Sequence, residues 1–305
     1  MKKILTYGIL IAFSIFAAAC TDQKTDGQNN TEGTFSHIHG LGYTGDGKRL
    51  FVPVHDGIKI YSDGKWTDAL GDKHDYMGFS MVNNGFYSSG HPTPGTTYKN
   101  PLGLVKSTDD GNSITVLALE GETDFHGMSV SYLTHTIYVF NPEPNSMMRQ
   151  AGMFYSENEG KSWKKSRMSG VRGQIAAVAA HPSQASVVAL GAETGAYLSD
   201  DFGQTFKPVY PDKPVSAITF THAGDLLVAT VGSNSDFVKV NMKTMQVSEL
   251  KTPVDTGDVI TYISENPVNA MELAIATDKN DIYISPDAGT SWRQIAKQGK
   301  LINEP

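Results

Sequence analysis

The sequence has little of three features that stabilise or localise many proteins. It contains one cysteine, Cys20, so no disulfide can form within the chain. It has only five arginines among its 305 residues. After the first twenty residues no segment has the apolar spacing of an amphipathic helix, and apolar residues alternate or form short β-branched runs instead. We therefore expect an all-β protein that is stabilised by burial of apolar surface.

The net charge argues against one class of partner. The chain has 25 basic and 32 acidic residues, a formal net charge of −7. Proteins that bind nucleic acid need a concentration of lysine and arginine to neutralise phosphates. Since acidic residues are in excess, we expect no nucleic-acid partner.

The first twenty residues have the composition of a secretion signal. Lys2 and Lys3 precede an apolar run over residues 4–16, and three alanines precede Cys20. The apolar run is shorter than the roughly 20 residues that cross a bilayer. A cysteine in this position resembles the bacterial lipobox, where it is diacylated and becomes the mature N-terminus. Ala17 departs from that motif, which usually carries leucine there.

The resemblance implies a signal peptide over residues 1–19 and a lipid anchor on Cys20, at the extracytoplasmic face of the cell membrane. The alternative is ordinary signal peptidase cleavage with an incidental Cys20. Residues 21–34 contain no apolar side chain, so we expect 20–34 to form a flexible tether. Residues 35–305 are then one folded, monomeric domain.

Four segments share the pattern Ser-x-Asp/Asn-x-Gly-x-Ser/Thr-aromatic, with Ile114 replacing the aromatic residue in one of them. They cover residues 107–114, 156–163, 199–206 and 285–292. An Asp or Asn two residues before Gly is typical of a tight turn in which the side chain caps backbone N–H groups. The pattern resembles the Asp box of sialidases, sortilin-type receptors and other BNR-repeat β-propellers. We name these segments Asp-box turns; their defining residues are Asp109, Gly111, Asn158, Gly160, Trp163, Asp201, Gly203, Phe206, Asp287, Gly289 and Trp292.

The spacing of the Asp-box turns predicts the number of blades. Successive first serines are separated by 49, 43 and 86 residues, and the last interval is twice 43. A period near 43 fits one four-stranded propeller blade. The double interval implies a blade without the box, and residues 58–66 contain a shortened box on a first blade. We therefore predict a six-bladed β-propeller with Asp-box hairpins.

Blade topology assigns the loops to two faces. The Asp-box turn connects the third and fourth strands, so it lies on the same face as the turn between the first and second. His135, His181 and His222 fall in those first turns, where we expect solvated side chains. The other six histidines fall at the opposite channel mouth, all in the first three blades: His37, His39, His55, His74, His91 and His126.

Alignment of the inner strands on Gly40, Gly78 and Gly127 places His39, Met77 and His126 at equivalent positions. The equivalent residues of blades four to six are small: Ala176, Ser216 and Thr261. Imidazoles with a thioether suit copper or zinc better than calcium or magnesium. We predict a metal site of His39 and His126, with further candidates His37, His55, His74, His91 and Met77. The alternative is a hydrogen-bonded polar network in a water-filled channel.

The resemblance to sialidases suggests a glycosidase, but the arginines do not fit. Sialidases hold the substrate carboxylate with three arginines. Arg49, Arg167 and Arg293 fall on the Asp-box face or on outer strands, so only Arg149 and Arg172 can reach the opposite mouth. We therefore do not expect sialidase activity. Another carboxylate-pair hydrolase stays open, with Asp124, Asp75 and Glu122 as weak catalytic candidates.

Several segments resemble one group of proteins over roughly the whole mature domain. The segments are residues 37–40, 90–92, 100–104 and 124–127. The group comprises bacterial propeller lipoproteins catalogued as glycosylhydrolase-like, and this resemblance implies no particular reaction.

Three functions stay open. The first is an anchored binding propeller with a possible copper or zinc ion, the second a glycoside hydrolase acting on wall or exopolysaccharide, and the third an assembly scaffold resembling the photosystem assembly propellers. Beyond the membrane, the partner would be a carbohydrate or a protein.

The lipid anchor can be tested directly. Cys20→Ser should abolish incorporation of labelled palmitate and release the chain from the membrane fraction, because the lipid needs the only thiol. Thr21→Ser serves as the control and should keep both label and membrane location. A Cys20→Ser chain that still carries the label would contradict the anchor.

Overall fold

A computed structural model of the protein describes residues 33–232, 235–255 and 257–304. The predicted signal peptide, Cys20 and most of the predicted tether lie outside the described residues. The described residues form 25 strands in six antiparallel sheets, which confirms the six-bladed β-propeller. Among them there is no helix that is both long and apolar enough to cross a bilayer.

The first three blades contain four strands each, ordered from the channel outward. Blade one comprises β1 (Gly42–Tyr43), β2 (Leu50–Val54), β3 (Gly57–Ser62) and β4 (Lys65–Asp68). Blade two comprises β5 (Asp75–Val82), β6 (Gly85–His91), β7 (Leu104–Ser107) and β8 (Thr115–Ala118). Blade three comprises β9 (Met128–Val130), β10 (Ile137–Asn141), β11 (Gly152–Ser156) and β12 (Lys164–Lys165).

Blades four to six follow the same order, and the last has an extra strand. Blade four comprises β13 (Ile175–Ala180), β14 (Val188–Ala192), β15 (Gly195–Ser199) and β16 (Lys207–Pro211). Blade five comprises β17 (Val215–Phe220), β18 (Leu226–Thr230), β19 (Phe237–Val240) and β20 (Val247–Glu249). Blade six comprises β21 (Ile260–Asn266), β22 (Asn269–Thr277), β23 (Ile282–Ser285), β24 (Arg293–Lys297) and β25 (Lys300–Leu301).

Each Asp-box turn is held by its own side chains. In blade two the Ser107 hydroxyl donates to Asp109 Oδ1 (2.9 Å) and accepts from the Gly111 amide (3.0 Å). The Ser113 amide donates to Asp109 Oδ1 (3.0 Å) and its hydroxyl to Oδ2 (2.6 Å). The turns at Asn158, Asp201 and Asp287 use the same backbone contacts. The pattern is therefore a local hydrogen-bonded unit that the sequence alone specifies.

The Asp-box turns also join neighbouring blades. Gly160, in blade three, has φ +80°, and a Cβ there would lie 2.6 Å from Leu104 Cδ2 of blade two. Trp163 packs on the core between the same two blades. Arg49, in the turn after β1, donates twice to Asp110 of the blade-two box, at 2.8 and 2.9 Å. These contacts confirm that the Asp-box turns and the first turns share one face.

The two ends of the described chain close the ring. The Phe35 amide donates to the Gly299 carbonyl and the Leu301 amide to the Gly33 carbonyl, both at 2.9 Å. In blade one the indole N–H of Trp66 donates to the Ile295 carbonyl of blade six (2.9 Å). The fifth strand of blade six therefore pairs with the N-terminal segment, an arrangement that the repeat analysis did not predict.

The inner strands of blades four to six each contain a bulge near the channel mouth. The residues that the partner strands skip are Ala176, Ser216 and Thr261, the same three that the glycine alignment selects. A bulge turns a side chain away from its regular position in the ladder. Small residues at these positions leave room beside the histidine-rich half of the mouth.

Replacement of Gly160 tests the contact between blades two and three. Gly160→Ala should lose more unfolding free energy than Gly95→Ala, because Gly95 has a similar φ of +89° but open space around its Cβ position. Both variants carry backbone strain of roughly 1–2 kcal/mol. Gly160→Ala adds overpacking of about 1–3 kcal/mol against Leu104. Urea unfolding measures the difference, and equal losses would mean that the contact is unimportant.

Candidate metal centre

Close approach of the inner strands brings the polar residues of blades one to three together. Gly78, in β5, has φ +55°, and a Cβ there would lie 2.1 Å from the Phe125 carbonyl oxygen. Gly40 likewise abuts Phe79 of blade two, since its Cβ would lie 2.7 Å from Phe79 Cβ. These glycines therefore permit adjacent blades to pack without intervening side chains.

The first group of ligand atoms surrounds Asp75, the first residue of β5. His55 Nδ1 lies 3.1 Å from Asp75 Oδ2, and His39 Nε2 lies 3.4 Å from Asp75 Oδ1. The two imidazoles are themselves 3.2 Å apart, measured from His39 Nε2 to His55 Nδ1. One ligand atom from each of these three residues lies within 4.8 Å of the others, which is a spacing that one metal ion can bridge.

The second group surrounds Asp124, just before β9. His126 Nε2 lies 2.7 Å from Asp124 Oδ2, and His91 Nε2 lies 3.4 Å from the same oxygen. The other ring nitrogen of His91 contacts Asn100 Oδ1 at 2.7 Å. Asp75 and His91 are register partners in β5 and β6, so the two carboxylate groups belong to neighbouring parts of one mouth.

Burial and hydrogen bonding shift the pKa values of His39 and His91 in opposite directions. Burial lowers the pKa of His39 to about 4, against the opposing effect of Asp75 and with the help of nearby imidazoles. The contact with Asp124 raises the pKa of His91 to about 9, although burial opposes it. Burial alone would raise the pKa of Asp124, but hydrogen bonds from His126 and His91 hold it well below its usual value. A neutral imidazole and a paired imidazolium therefore occur in the same mouth at neutral pH.

Three buried polar atoms of this region have no hydrogen-bond partner in the described structure. They are Asp124 Oδ1, Thr123 Oγ1 and Asp75 Oδ1, whose 3.4 Å contact with His39 Nε2 lacks hydrogen-bond geometry. Buried polar groups without a partner are rare, and each requires an explanation such as a missing ion or water. Both orphaned carboxylate oxygens belong to the acids that contact the imidazoles.

The structure brings His39, His55, His91 and His126 together, but it separates His74 from them. His74 is buried, its Nδ1 accepts from the Thr93 amide (2.9 Å), and its ring packs between two tyrosines. It therefore fixes the loop after β6 instead of offering a ligand atom.

Two other predicted ligands lie at the edge of the group. His37 is exposed, and its ring centre lies 5.2 Å from that of His55. Met77 follows Asp75 by two residues in β5, so the two side chains point to the same face of the strand. Asn100, which orients His91, was not among the predicted site residues. The sequence pointed to it only by including it in the segment 100–104, which carries part of the family resemblance.

Of the three catalytic candidates, Asp75 and Asp124 lie in the mouth, whereas Glu122 is engaged elsewhere. Glu122 is exposed and accepts from the Ser146 amide and hydroxyl, both at 2.8 Å, so it links two loops. Three of the five arginines make contacts outside the mouth: Arg49 with Asp110, Arg167 with Gln204, and Arg293 with Tyr61 and Glu304.

The expectation of solvated histidines on the Asp-box face is wrong for His181. Its side chain is buried, because it packs on Phe220 and its Nδ1 accepts from the amides of Ser183 and Gln184. His135 and His222 are half-buried, and each has a side-chain partner. Polar turns in this propeller are packed against the neighbouring blade, which sequence position alone did not reveal.

Comparison with known proteins shows relatives in fold. No family model matches the sequence, and neither does any curated protein. A GH74 enzyme from Niastella koreensis is similar over 87% of this chain, with a TM-score of 0.60 and 16% identity. A GH74 xyloglucanase from Xanthomonas campestris is similar over 86%, with a TM-score of 0.54 and 15% identity. YCF48 bound to a D1 peptide is similar over 86% of this chain and 81% of its own, with a TM-score of 0.48 and 16% identity.

This chain spans about half the length of the two GH74 proteins, 46% of each. At this level of identity the likeness shows the fold alone.

Removal of the Asp124 carboxylate should lower the pKa of His91. In the wild type that pKa is about 9, so the pair contributes stability that is present below pH 6.5 and is lost as pH rises through 9. Asp124→Asn should move the pKa toward or below 6.5, because burial then opposes protonation. Its loss of stability should be larger at pH 6 than at pH 10.

NMR titration of the histidine rings in metal-free protein measures this change. His135, on the other face, provides an internal control, and its titration should be the same in both proteins. An unchanged His91 titration in Asp124→Asn would show that the carboxylate does not set it.

Proposed function

We propose that this propeller binds a divalent transition-metal ion, zinc or copper(II), through His39, His55 and Asp75. The observation that carries the proposal is the convergence of two imidazole nitrogens and one carboxylate within metal-bridging distance. Tetrahedral bonds of about 2.0–2.1 Å to zinc place neighbouring ligand atoms roughly 3.3 Å apart. The two imidazole nitrogens are 3.2 Å apart, and each contacts a different oxygen of the Asp75 carboxylate, at 3.4 Å from His39 and 3.1 Å from His55.

The chemistry of the ligand atoms limits which metal ions fit this site. Two imidazoles and a carboxylate suit zinc, copper(II) or iron(II), whereas copper(I) prefers thiolate and thioether ligands. Because burial favours the neutral form of His39, this ligand needs no deprotonation at neutral pH. Three protein ligands leave a fourth position, for which His126 or an external ligand would compete.

The Asp124 group has a supporting role in this proposal. A carboxylate that contacts an imidazole fixes the orientation of the ring, and loss of such a partner usually costs about 10–100-fold in metal affinity. Asp124 orients in this way His126, the side chain that can take the fourth position, so Asp124→Asn weakens the site through that ligand. The lipid on Cys20 would hold this metal-binding mouth outside the cell membrane.

A glycoside hydrolase is the second candidate, and the GH74 likeness in fold favours it only at the level of the scaffold. A general acid must be protonated at the working pH, which requires a raised pKa. Asp124 has the opposite shift, because two imidazoles stabilise its charged form. The third function, a non-catalytic assembly scaffold, stays a prediction, because no contact among the described residues favours it over the other two.

Metal binding can be measured by calorimetry on protein stripped with a chelator. The wild type should bind one Zn²⁺ or Cu²⁺, the double variant His39→Ala/His55→Ala should bind none, and Asp124→Asn should bind about 10–100-fold more weakly. His135→Ala, on the other face, is the matched control and should bind as the wild type does.

Two results would overturn the proposal. One is a wild-type chain that takes up neither ion, and the other is a double variant that binds as tightly as the His135→Ala control. Assays of these four proteins and of Asp75→Asn with chromogenic glycosides test the second candidate in parallel. Hydrolysis that Asp124→Asn and Asp75→Asn both abolish would support the enzyme instead.

A further inference from the structure

The channel has a second, chemically different mouth on the Asp-box face. A cavity of about 110 Å³ opens there, and the inner strand or first turn of every blade contributes to its wall. This volume is well above the roughly 10–15 Å³ that one water molecule needs, so a group of several heavy atoms fits. The residues that matter for its chemistry are Met81, Tyr132, Phe220, His222, Ile263 and Glu265.

Among the described residues that line the cavity, Glu265 is the only acid, and it is deeply buried. Its side chain is 4% exposed. Its Oε2 accepts from the His222 amide at 2.6 Å and lies 3.2 Å from His222 Nδ1. Within the described chain no hydrogen bond reaches its other oxygen, Oε1. Oε1 is not fully enclosed, so it offers an acceptor to a donor that enters the cavity, and a charged donor makes the stronger hydrogen bond to a carboxylate.

The rest of the wall determines which partner fits. The lining residues include no lysine or arginine, and among them His222 is the base that contacts Glu265. Met81, Phe220 and Ile263 give the wall an apolar part. The Tyr132 ring stands at 90° to His222, with 4.6 Å between ring centres, and adds an aromatic surface. A compact cation with a short apolar tail matches this combination of surfaces.

We propose that this lower mouth binds a small primary ammonium group on a short aliphatic chain. The ammonium donates to Glu265 Oε1, and the chain lies against Met81, Phe220 and Ile263. An ammonium has three N–H donors and no acceptor, which suits a site whose unfilled group is a carboxylate oxygen. The site is independent of the metal centre, because it lies at the opposite mouth and shares no residue with it.

The test uses n-propylammonium chloride with the complete chain in 0.15 M NaCl, and 1-propanol as the uncharged probe of the same shape. Calorimetry should show saturable binding of propylammonium and none of propanol. Glu265→Gln should bind propylammonium at least about tenfold more weakly, since the charge-assisted bond is lost. Glu249→Gln, an exposed acid on β20, is the matched control and should bind as the wild type does.

A second measurement does not depend on a variant that folds. In the wild type, propylammonium should shift the ring resonances of His222 and leave those of His135 unchanged, and propanol should shift neither. The His39→Ala/His55→Ala protein should give the same result, which separates this site from the metal centre. Equal binding of propanol, an unchanged Glu265→Gln affinity, or a His222 resonance that propylammonium does not move would overturn the proposal.

Discussion

The Asp-box turn is the constraint on which the rest of the architecture depends. Its carboxylate or amide oxygen accepts from the turn backbone, while the serine hydroxyl before it accepts from the glycine amide. Two successive residues, such as Glu159 and Gly160, then have positive φ. In this conformation the glycine lies in close contact with the preceding blade, as Gly160 does with Leu104. The local turn therefore also fixes the distance between neighbouring sheets. The blades are thereby joined on one face, and the loops of the opposite face are free to vary.

Blades one to three use that freedom for the imidazole cluster. Blades one to three place two carboxylates and four imidazoles at the mouth, whereas blades four to six place bulged small residues there. A polar cluster of this density is costly unless its members are paired. Asp124 is paired on one oxygen with His91 and His126, and Asp75 is paired with His39 and His55. Asp124 Oδ1 has no hydrogen bond in the described structure, so the network keeps an acceptor position for a further group.

The sequence predicted what depends on local chemistry and missed what depends on contacts between blades. The Asp-box turns are local hydrogen-bonded units, so their pattern predicted the six blades and the two faces. The glycine alignment selected Ala176, Ser216 and Thr261 but not the bulges that they occupy, because a bulge depends on the partner strand. The sequence placed His74 with the predicted metal ligands, because it precedes an inner strand as they do. In the structure its Nδ1 instead accepts a hydrogen bond from the Thr93 amide in the loop after β6. Pairing of residues 33–35 with β25 could not be inferred, because neither segment belongs to the repeat.

The two mouths differ because different parts of the blade form them. The proposed metal centre lies where the inner strands begin and where long second turns, such as that after His91, can add groups like Asn100. The other mouth lies where the inner strands end. The short first turns at that mouth lie on the same face as the Asp-box turns. A side chain such as Glu265 is then fixed by backbone donors, here the His222 amide, and has little freedom to find another partner. A fixed acid in a small cavity selects by charge and size, whereas a cluster of imidazoles on adaptable loops selects by coordination geometry. The two proposed sites therefore lie at opposite ends of one channel and select their cations by different means.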